Sequence, residues 1–240
     1  MSLLITGAFG LLGQKLMKFF PNALDPSHDS LEIVDKNLVS KYIKENNVTQ
    51  IIHAAAITSI RKCDEEKNFA WSVNVEGTQN LVTALKENSD DGYFVYISTP
   101  CVFSGQEEMY DEHATPNPVN FYGFTKSVGE NIVKTMKNFL VVRTNFVAKQ
   151  SWPYEKAFTD RFGNYLFSDD VAQVLFNLHS SHVTGIRHIV GNKILSMYDL
   201  AKITTPQILP MTISEYTGPH LTKNMTLNSK YLEKYPISSF

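Results

Sequence analysis

The turn after the first apolar segment constrains the fold of this chain more than any other feature of its sequence. The apolar run 3–5 is followed by Gly7, Gly10 and Gly13, and the last glycine opens a segment of helical periodicity. In such a strand-turn-helix the first glycine permits a tight turn, the second lets the backbone approach a pyrophosphate, and the third lets helix and strand pack closely. Backbone N–H groups at the helix start then bind the phosphates. This placement predicts a dinucleotide-binding turn.

Short apolar runs and helical patterns alternate along the first half of the chain, as they do in parallel sheets with crossover helices. The patterns predict strands at 3–5, 50–54, 93–98 and 140–143 and helices at 12–20, 36–46, 66–88 and 120–137. A further strand is predicted at 23–28, although Pro26 cannot donate to a central ladder. These consecutive βα units predict an α/β fold with a Rossmann-type, doubly wound parallel sheet.

The second half of the chain is less regular. Its patterns predict a helix at 169–180, a strand at 188–190, and a short helix that Ser196 caps, with Asp199 in the capping-box position. No internal repeat or long linker separates this half from the first. We therefore predict a single domain over 1–240, in which residues 148–240 contribute a small substrate-binding lobe beside the carboxyl ends of the strands.

Charge and composition exclude several classes of partner. Lys and Arg total 22 against 24 Asp and Glu, a formal net charge of −2, so no nucleic-acid partner is expected. The first residues lack a signal-peptide pattern and no run of about eighteen apolar residues occurs, so we expect no membrane contact and a cytoplasmic location. Cys63 and Cys101 form neither a disulfide framework nor a metal-binding spacing, and no metal is assigned.

A Tyr-Lys pair at helical spacing is the candidate for catalysis. Tyr122 and Lys126 stand at i and i+4, so their side chains project from one helix face. Roughly one such pair is expected by chance in a chain of this composition, and a second occurs at Tyr198 and Lys202. The first pair is selected by its position after the strand that ends near Thr99, whose hydroxyl is expected to face the same cleft.

Carbonyl reduction by a nicotinamide requires residues of these types. Hydride delivered to a carbonyl carbon leaves an alkoxide, which a positioned acid must protonate. Tyr122 is the candidate acid, and the ammonium of Lys126 together with the positive nicotinamide would stabilise its phenolate. Lys126 would also hold the nicotinamide ribose, and Thr99 would donate a hydrogen bond to the reacting carbonyl. The sequence thus predicts an oxidoreductase that uses NAD or NADP.

The choice between NAD and NADP stays open at this point. An acidic residue about twenty positions after the glycine turn binds the ribose 2′-hydroxyl in NAD enzymes, and Asp25 is near that distance. If the strand ends instead at Ser27 and His28, the 2′-position is open to a phosphate.

Seven stretches within residues 1–147 carry a resemblance to a known family. They are LLITGAFGLLG, LEIVD, IIHAAAIT, WSVNVEGTQNL, YISTPCVF, NPVNFYGFTKSVGE and VVRTNFV. In this order and spacing they resemble the extended short-chain dehydrogenase/reductase superfamily, and within it the dTDP-4-dehydrorhamnose reductases. The resemblance implies an NAD(P)H-dependent reductase of a nucleotide-linked 4-keto sugar, and a homodimer paired through the helices near 66–88 and 120–137.

The resemblance also implies roles for individual residues. Thr99, Tyr122 and Lys126 would form the catalytic triad. The residues implied in cofactor binding are Gly7, Phe9, Gly10, Leu11 and Leu12 at the pyrophosphate, Glu32 and Ile33 near adenine, Ala54, Ala55 and Ala56 along the trough, and Lys126 and Asn145 near the nicotinamide. Arg143 and Thr144 would lie with Asn145 beneath the nicotinamide and substrate.

Two departures from the family pattern bear on the substrate. Pro100 and Cys101 follow Thr99 where the family has an acidic and an aromatic residue. The segment between Arg143 and the helix at 169 is also short for the family, which predicts a contracted lobe. The basic residues of that segment either pair with a diphosphate or are solvated; they are Lys149, Lys156 and Arg161.

Two alternatives to the reductase remain at this stage. A sugar epimerase or dehydratase uses the same Tyr-Lys hydride chemistry, although Pro100 stands where a dehydratase needs an acid or base. A relative of the reductase family serves as a non-catalytic, NADP-binding regulatory subunit of methionine adenosyltransferase, and the contracted lobe is compatible with that role.

Overall fold

A parallel sheet of five strands forms the centre of the computed structural model, which describes residues 2–238. The strands of the chain are β1 (Ser2–Thr6), β2 (Val48–His53), β3 (Tyr93–Ser98), β4 (Asn138–Thr144), β5 (Phe146–Val147), β6 (Lys156–Phe158), β7 (Phe162–Gly163), β8 (Leu166–Phe167), β9 (Gly185–Ile189), β10 (Leu195–Ser196), β11 (Leu209–Met211) and β12 (Asn224–Met225). The central sheet has the order β1-β2-β3-β4-β9, and each of its neighbouring pairs is parallel. The carboxyl ends of all five strands therefore meet at one edge.

Helices cover both faces of this sheet. They are α1 (Gly13–Phe19), α2 (Lys36–Glu45), α3 (Ile60–Glu65), α4 (Lys67–Trp71), α5 (Gly77–Asn88), α6 (Phe121–Val133), α7 (Ser168–Ser180) and α8 (Met197–Thr204), with a π-helical segment at Ser72–Glu76 and 3-10 turns at Pro100–Val102 and Ile213–Glu215. Leu16 and Leu175 of α1 and α7 belong to the core on one face, and Ile43 and Leu85 of α2 and α5 to the core on the other. Each such buried side chain contributes about 1.5–3 kcal/mol. The predicted doubly wound α/β fold is confirmed.

The prediction of a strand at 23–28 is wrong, since only Leu24 of this segment pairs with the sheet. Leu24 forms an isolated parallel bridge with Leu4, and its N–H and C=O bond to Leu3 and Ile5 at 2.8 and 2.9 Å. Pro26 follows two residues later and has no N–H to continue the ladder. The chain leaves the sheet there and passes over its carboxyl edge.

The long helix predicted at 66–88 is interrupted. Within it the π-helical segment carries Asn74, which is buried. Its Oδ1 accepts from the Ile57 N–H at 2.8 Å, and its amide nitrogen donates to the Ile57 carbonyl and the Thr125 hydroxyl, both at 3.0 Å. The interruption thus ties the loop after β2 to α6, beside Lys126. Nothing in the apolar spacing of a single sequence indicates such a change of helical pitch.

Residues 148–238 contribute to two parts of the molecule. Helix α7 and strand β9 complete the central fold described above. The other segments form small sheets at the carboxyl edge, in the orders β10-β7-β12 and β11-β6, with α8 packed against β6. The extent of a separate substrate lobe stays a prediction. In the described part of the chain no helix has both the length and the apolar character needed to cross a bilayer.

Candidate functional site

Three adjoining cavities form a trough along the carboxyl edge of the sheet. The turn-side cavity, of about 430 Å³, is lined by the glycine turn and by residues that include Phe9, His28, Glu32, Ile33 and Ala55. The central cavity, of about 460 Å³, is lined by residues that include Ser98, Thr99, Tyr122, Lys126 and Asn145. The lobe-side cavity, of about 700 Å³, is lined by residues that include Trp152, Lys156, Phe158, Met211 and Tyr216.

Shared walls join these cavities into one site. The turn-side and central cavities share Gly7, Gly10, Ala54 and Ala56. The central and lobe-side cavities share Thr58, Ile60, Arg161 and Met197. A long ligand, or two ligands end to end, therefore fits along the trough with the central cavity in its middle.

The glycine turn forms a cradle at one end of the trough. Gly7 has φ +73°, and a Cβ on it would lie 2.6 Å from the Ala55 backbone nitrogen, so only glycine permits this approach of the turn to the loop after β2. A Cβ on Gly10 would meet only the Gly7 carbonyl oxygen, so this side of the turn faces the open trough. Phe9 stands 65% exposed at the rim. An exposed aromatic beside a glycine cradle fits a dinucleotide that covers it.

Every residue predicted to bind the cofactor lines the turn-side or the central cavity. They are Gly7, Phe9, Gly10, Leu11, Leu12, Glu32, Ile33, Ala54, Ala55, Ala56, Lys126 and Asn145. The structure thus brings together residues from five separate parts of the sequence. Their contacts with a cofactor stay predictions.

The two candidates for the ribose 2′-position differ in where they lie. His28 and Pro26 line the turn-side cavity, and Asp25 does not. Burial and the Asp25 carboxylate raise the pKa of Tyr42 on α2, which places Asp25 toward that helix. His28 Nδ1 lies 3.9 Å from Glu32 Oε2. The cavity wall therefore presents a histidine near the position where an NAD enzyme needs a carboxylate.

Tyr122 and Thr99 meet at the central cavity because α6 packs closely on the turn after β3. A Cβ on Gly123 would collide with the Cys101 carbonyl oxygen, so glycine permits this contact. The Cys101 N–H donates to Thr99 Oγ1 at 3.2 Å, which leaves the Thr99 hydroxyl hydrogen free to donate. Burial raises the pKa of Tyr122, and the Thr99 hydroxyl offsets this only in part. Tyr122 is therefore a neutral phenol that holds its proton at neutral pH.

Lys126 lies on the floor of the central cavity and is 3% exposed. Its Nζ is 4.0 Å from the centroid of the Tyr96 ring, a cation–π contact. Burial lowers the pKa of Lys126 to about 7, against the opposing effect of Glu130. The sequence predicts that the Lys126 ammonium stabilises the Tyr122 phenolate and so lowers the pKa of Tyr122. In the ligand-free chain the pKa of Tyr122 is raised instead, because burial outweighs its other surroundings.

A buried ion pair supports the site from below. Arg143 donates from Nε to Glu130 Oε1 at 2.9 Å and from Nη2 to Oε2 at 2.7 Å, and Ser98 donates to Oε1 at 2.6 Å. The pair locks α6 to the ends of β3 and β4. Arg143 lines none of the three cavities, and the position implied for it beneath the nicotinamide stays a prediction. Removing one partner of such a pair costs about 3–5 kcal/mol.

The basic residues at 149–161 are placed differently from one another. Lys156 is exposed and lines the lobe-side cavity. Lys149 Nζ lies 5.7 Å from the centroid of the Phe167 ring. Arg161 is buried and lines both the central and the lobe-side cavity. Sequence reasoning could not separate these three, because all occur in one irregular segment.

Comparison with known proteins assigns the family. Residues 1–215 match the model of the RmlD substrate binding domain. The chain belongs to this family. A dTDP-4-dehydrorhamnose reductase of Aggregatibacter actinomycetemcomitans is 30% identical, over 99% of this chain and 89% of the relative. The resemblance inferred from the sequence motifs is therefore confirmed.

Other relatives and solved structures span the same length. Methionine adenosyltransferase 2 subunit beta of Xenopus tropicalis is 30% identical, over 98% of this chain and 82% of that protein. A dTDP-4-dehydrorhamnose reductase structure from Clostridium acetobutylicum has a TM-score of 0.87 at 28% identity and covers 95% of this chain and 90% of its own. One from Bacillus anthracis, in complex with NADP, has a TM-score of 0.89 at 24% identity and covers 98% and 95%. The last likeness shows the fold alone.

Proposed function

We propose that this chain is an NAD(P)H-dependent reductase of a nucleotide-linked 4-keto sugar, with dTDP-4-dehydrorhamnose reductase activity. The observation that carries the proposal is the position of Thr99, Tyr122 and Lys126 in the central cavity, between a glycine cradle and a second large cavity. A cofactor enters from one side of this arrangement and a substrate from the other. The family to which the chain belongs supports the same activity.

The residues of the central cavity act on the oxygen of the keto group. NAD(P)H, when bound, supplies a hydride to the carbonyl carbon. Thr99 donates a hydrogen bond to the carbonyl oxygen, because its own oxygen already accepts from Cys101. Tyr122 transfers its phenolic proton to that oxygen, and its raised pKa ensures that the proton is present at neutral pH. Lys126 lies one helical turn away, where it holds the ribose and shuttles a proton back to Tyr122.

The turn-side cavity would hold the adenosine of the cofactor, and the central cavity would hold its nicotinamide. The wall of the turn-side cavity contains His28 and Lys62, and Glu32 is its acidic residue. Histidine and lysine side chains donate hydrogen bonds to a 2′-phosphate, whereas a glutamate carboxylate accepts a hydrogen bond from a 2′-hydroxyl. Comparing KM for NADPH and NADH in the wild type and in His28→Ala decides between the two cofactors.

The activity is tested with the purified chain, a dTDP-4-keto-6-deoxy sugar and either NADPH or NADH. We expect one reduced nicotinamide to be oxidised for each keto sugar consumed. The keto group becomes a hydroxyl group in the dTDP-6-deoxy sugar that forms. Omission of the sugar is the control, since it reveals any cofactor oxidation that does not depend on the substrate. Cofactor binding without reduction of any keto sugar would contradict the proposal.

A regulatory subunit is the second candidate, because methionine adenosyltransferase 2 subunit beta is as similar in sequence as the reductase. This role requires a stable complex with a methionine adenosyltransferase catalytic subunit and no turnover of keto sugars. Size-exclusion chromatography of the mixture tests it. An epimerase or dehydratase is separated by its products, since these enzymes regenerate their cofactor and consume no NAD(P)H.

A homodimer and a cytoplasmic location are carried forward as predictions from the sequence. Pairing through α5 and α6 would double the mass in light scattering, and charge reversal on those helices would return it to that of one chain.

A further inference from the structure

Arg161 lies where the central and lobe-side cavities meet. We propose that it forms the diphosphate site of the nucleotide-sugar substrate, with Tyr165 as a second donor. The inference rests on the proposed function, because it places a nucleotide sugar in these two cavities. It selects Arg161 from the three basic residues of its segment and adds Tyr165, which no sequence motif indicated.

The guanidinium of Arg161 is buried without an acidic partner. Arg161 is 8% exposed, and its Nε donates to the Thr222 carbonyl at 3.0 Å. Nη1 and Nη2 face the sulfur atoms of Met197 and Met225 at 3.4 and 3.3 Å. None of the ion pairs found among residues 2–238 includes Arg161. Thioethers are weak acceptors, so this buried charge is poorly compensated.

The other buried arginine shows what full compensation looks like. Arg143 makes two charge-assisted hydrogen bonds to Glu130 at 2.9 and 2.7 Å and lines no cavity. Arg161 has equivalent N–H groups, a cavity on each side, and sulfur in place of a carboxylate. A buried arginine without its anion, at the junction of two cavities, indicates that a ligand supplies the anion.

Tyr165 provides an independent observation at the same place. It is 3% exposed and lines the central cavity, and its hydroxyl hydrogen has no acceptor. Burial raises its pKa, and the Arg161 charge and an interaction with the Asn145 side chain oppose this rise. The phenol therefore keeps its proton and can donate it. A guanidinium whose Nη atoms meet only thioether sulfur, together with a phenol whose hydrogen has no acceptor, forms a donor set for phosphate oxygens.

The anion must be one that joins a sugar to a larger group. On one side of Arg161 is the central cavity, with Tyr122 and Thr99. On the other is the lobe-side cavity, whose walls include the aromatic rings of Trp152, Phe158 and Tyr216, which suit a planar base. In a nucleotide sugar the group between sugar and nucleoside is a diphosphate. The planar fork of arginine matches its oxygens.

The test measures binding of dTDP and of thymidine to the wild type and to Arg161→Gln by calorimetry. We expect the wild type to bind dTDP about ten- to hundredfold more tightly than thymidine, and the variant to lose this difference while its affinity for thymidine stays the same. The KM for the keto sugar rises by a similar factor, and NADPH affinity does not change. Lys223→Gln is the matched control, because this exposed cation lines none of the three cavities; it is expected to change dTDP affinity less than threefold.

Several outcomes would overturn the inference. The inference is overturned if a folded Arg161→Gln variant binds dTDP as tightly as the wild type does. It is also overturned if the wild type binds dTDP no more tightly than thymidine. Arg161→Lys keeps the charge without the fork and is used if the glutamine variant melts early; wild-type dTDP affinity in it would equally count against the site. If dTDP binding depends on Arg161 while no keto sugar is reduced, the proposed activity fails and the diphosphate site stands.

Discussion

Two Tyr-Lys pairs with the same spacing lie in very different surroundings in this molecule. Tyr122 and Lys126 on α6 line the central cavity, and Lys126 is buried on the Tyr96 ring. Tyr198 and Lys202 lie on α8, where the Lys202 ammonium is exposed and lies 5.5 Å from the centroid of the Tyr198 ring. The i,i+4 spacing brings a phenol and an amine near each other in both helices. The chemistry depends on what else surrounds them.

Local helix stability does not distinguish the two pairs. Asn120 caps α6 by accepting from the Gly123 N–H at 2.9 Å, and Ser196 caps α8 by accepting from the Asp199 N–H at 3.0 Å. The difference is tertiary: α6 packs against β3, β4 and α5, whereas α8 packs against β6 and β10. The second pair therefore supplies matched controls for the first.

The largest effect is expected from Tyr122→Phe compared with Tyr198→Phe. Loss of the Tyr122 hydroxyl removes the proton donor and is expected to lower kcat by about 10²–10⁴. The Tyr198 variant is expected to stay within about twofold of the wild type. Steady-state assays with the keto sugar measure both. Equal activity of the two variants would mean that Tyr122 is not the acid.

The next effect in size compares Thr99→Ala with Ser196→Ala. Both hydroxyls accept from a backbone N–H, so each variant loses a cap worth about 1 kcal/mol. Of the two, only Thr99 lines the central cavity and is proposed to donate to the reacting oxygen, so its loss is expected to lower kcat by a further factor of about 10²–10³. Thermal melts and kcat are measured for both. Similar losses of kcat in the two variants would show that Thr99 acts through stability alone.

A smaller effect is expected from Lys126→Met compared with Lys202→Met. Lys126 is proposed to hold the cofactor ribose through charged hydrogen bonds, so its loss is expected to weaken NAD(P)H binding about ten- to hundredfold. Lys202 lines none of the three cavities, and its variant is expected to bind the cofactor as the wild type does. Fluorescence titration with the reduced cofactor measures both constants. Unchanged affinity in Lys126→Met would place the ribose elsewhere.

The last comparison concerns the pH dependence of the free energy of unfolding in the ligand-free chain. Burial lowers the pKa of Lys126 to about 7, whereas a lysine in the unfolded chain titrates near about 10.4. Between these values the unfolded state binds one more proton, so the free energy of unfolding rises with pH from about 7 to about 10. Lys126→Met lacks this rise, and Lys202→Met retains it. Denaturant titrations across this range measure the slopes, and parallel slopes in all three proteins would contradict the lowered pKa.

The sequence predicted most of the central fold because its determinants are local. Apolar periodicity located β3 and α6 to within a few residues, and the glycines after β1 marked the cradle. The strand predicted at 23–28 was too long, because the residues of a segment do not by themselves show where it can pair with another strand. The π-helical segment around Asn74 was missed because it depends on contacts with Ile57 and Thr125, which are distant in sequence.

By itself, the sequence determined the βα order, the glycine turn and the i,i+4 geometry of both Tyr-Lys pairs, since these follow from residues close together along the chain. Tertiary structure alone decided that Lys126 is buried on Tyr96, that Arg143 is paired with Glu130, and that Arg161 faces two cavities without an anion. Burial and charge compensation depend on which distant segments meet. Two pairs of identical spacing can therefore differ completely in what they are able to do.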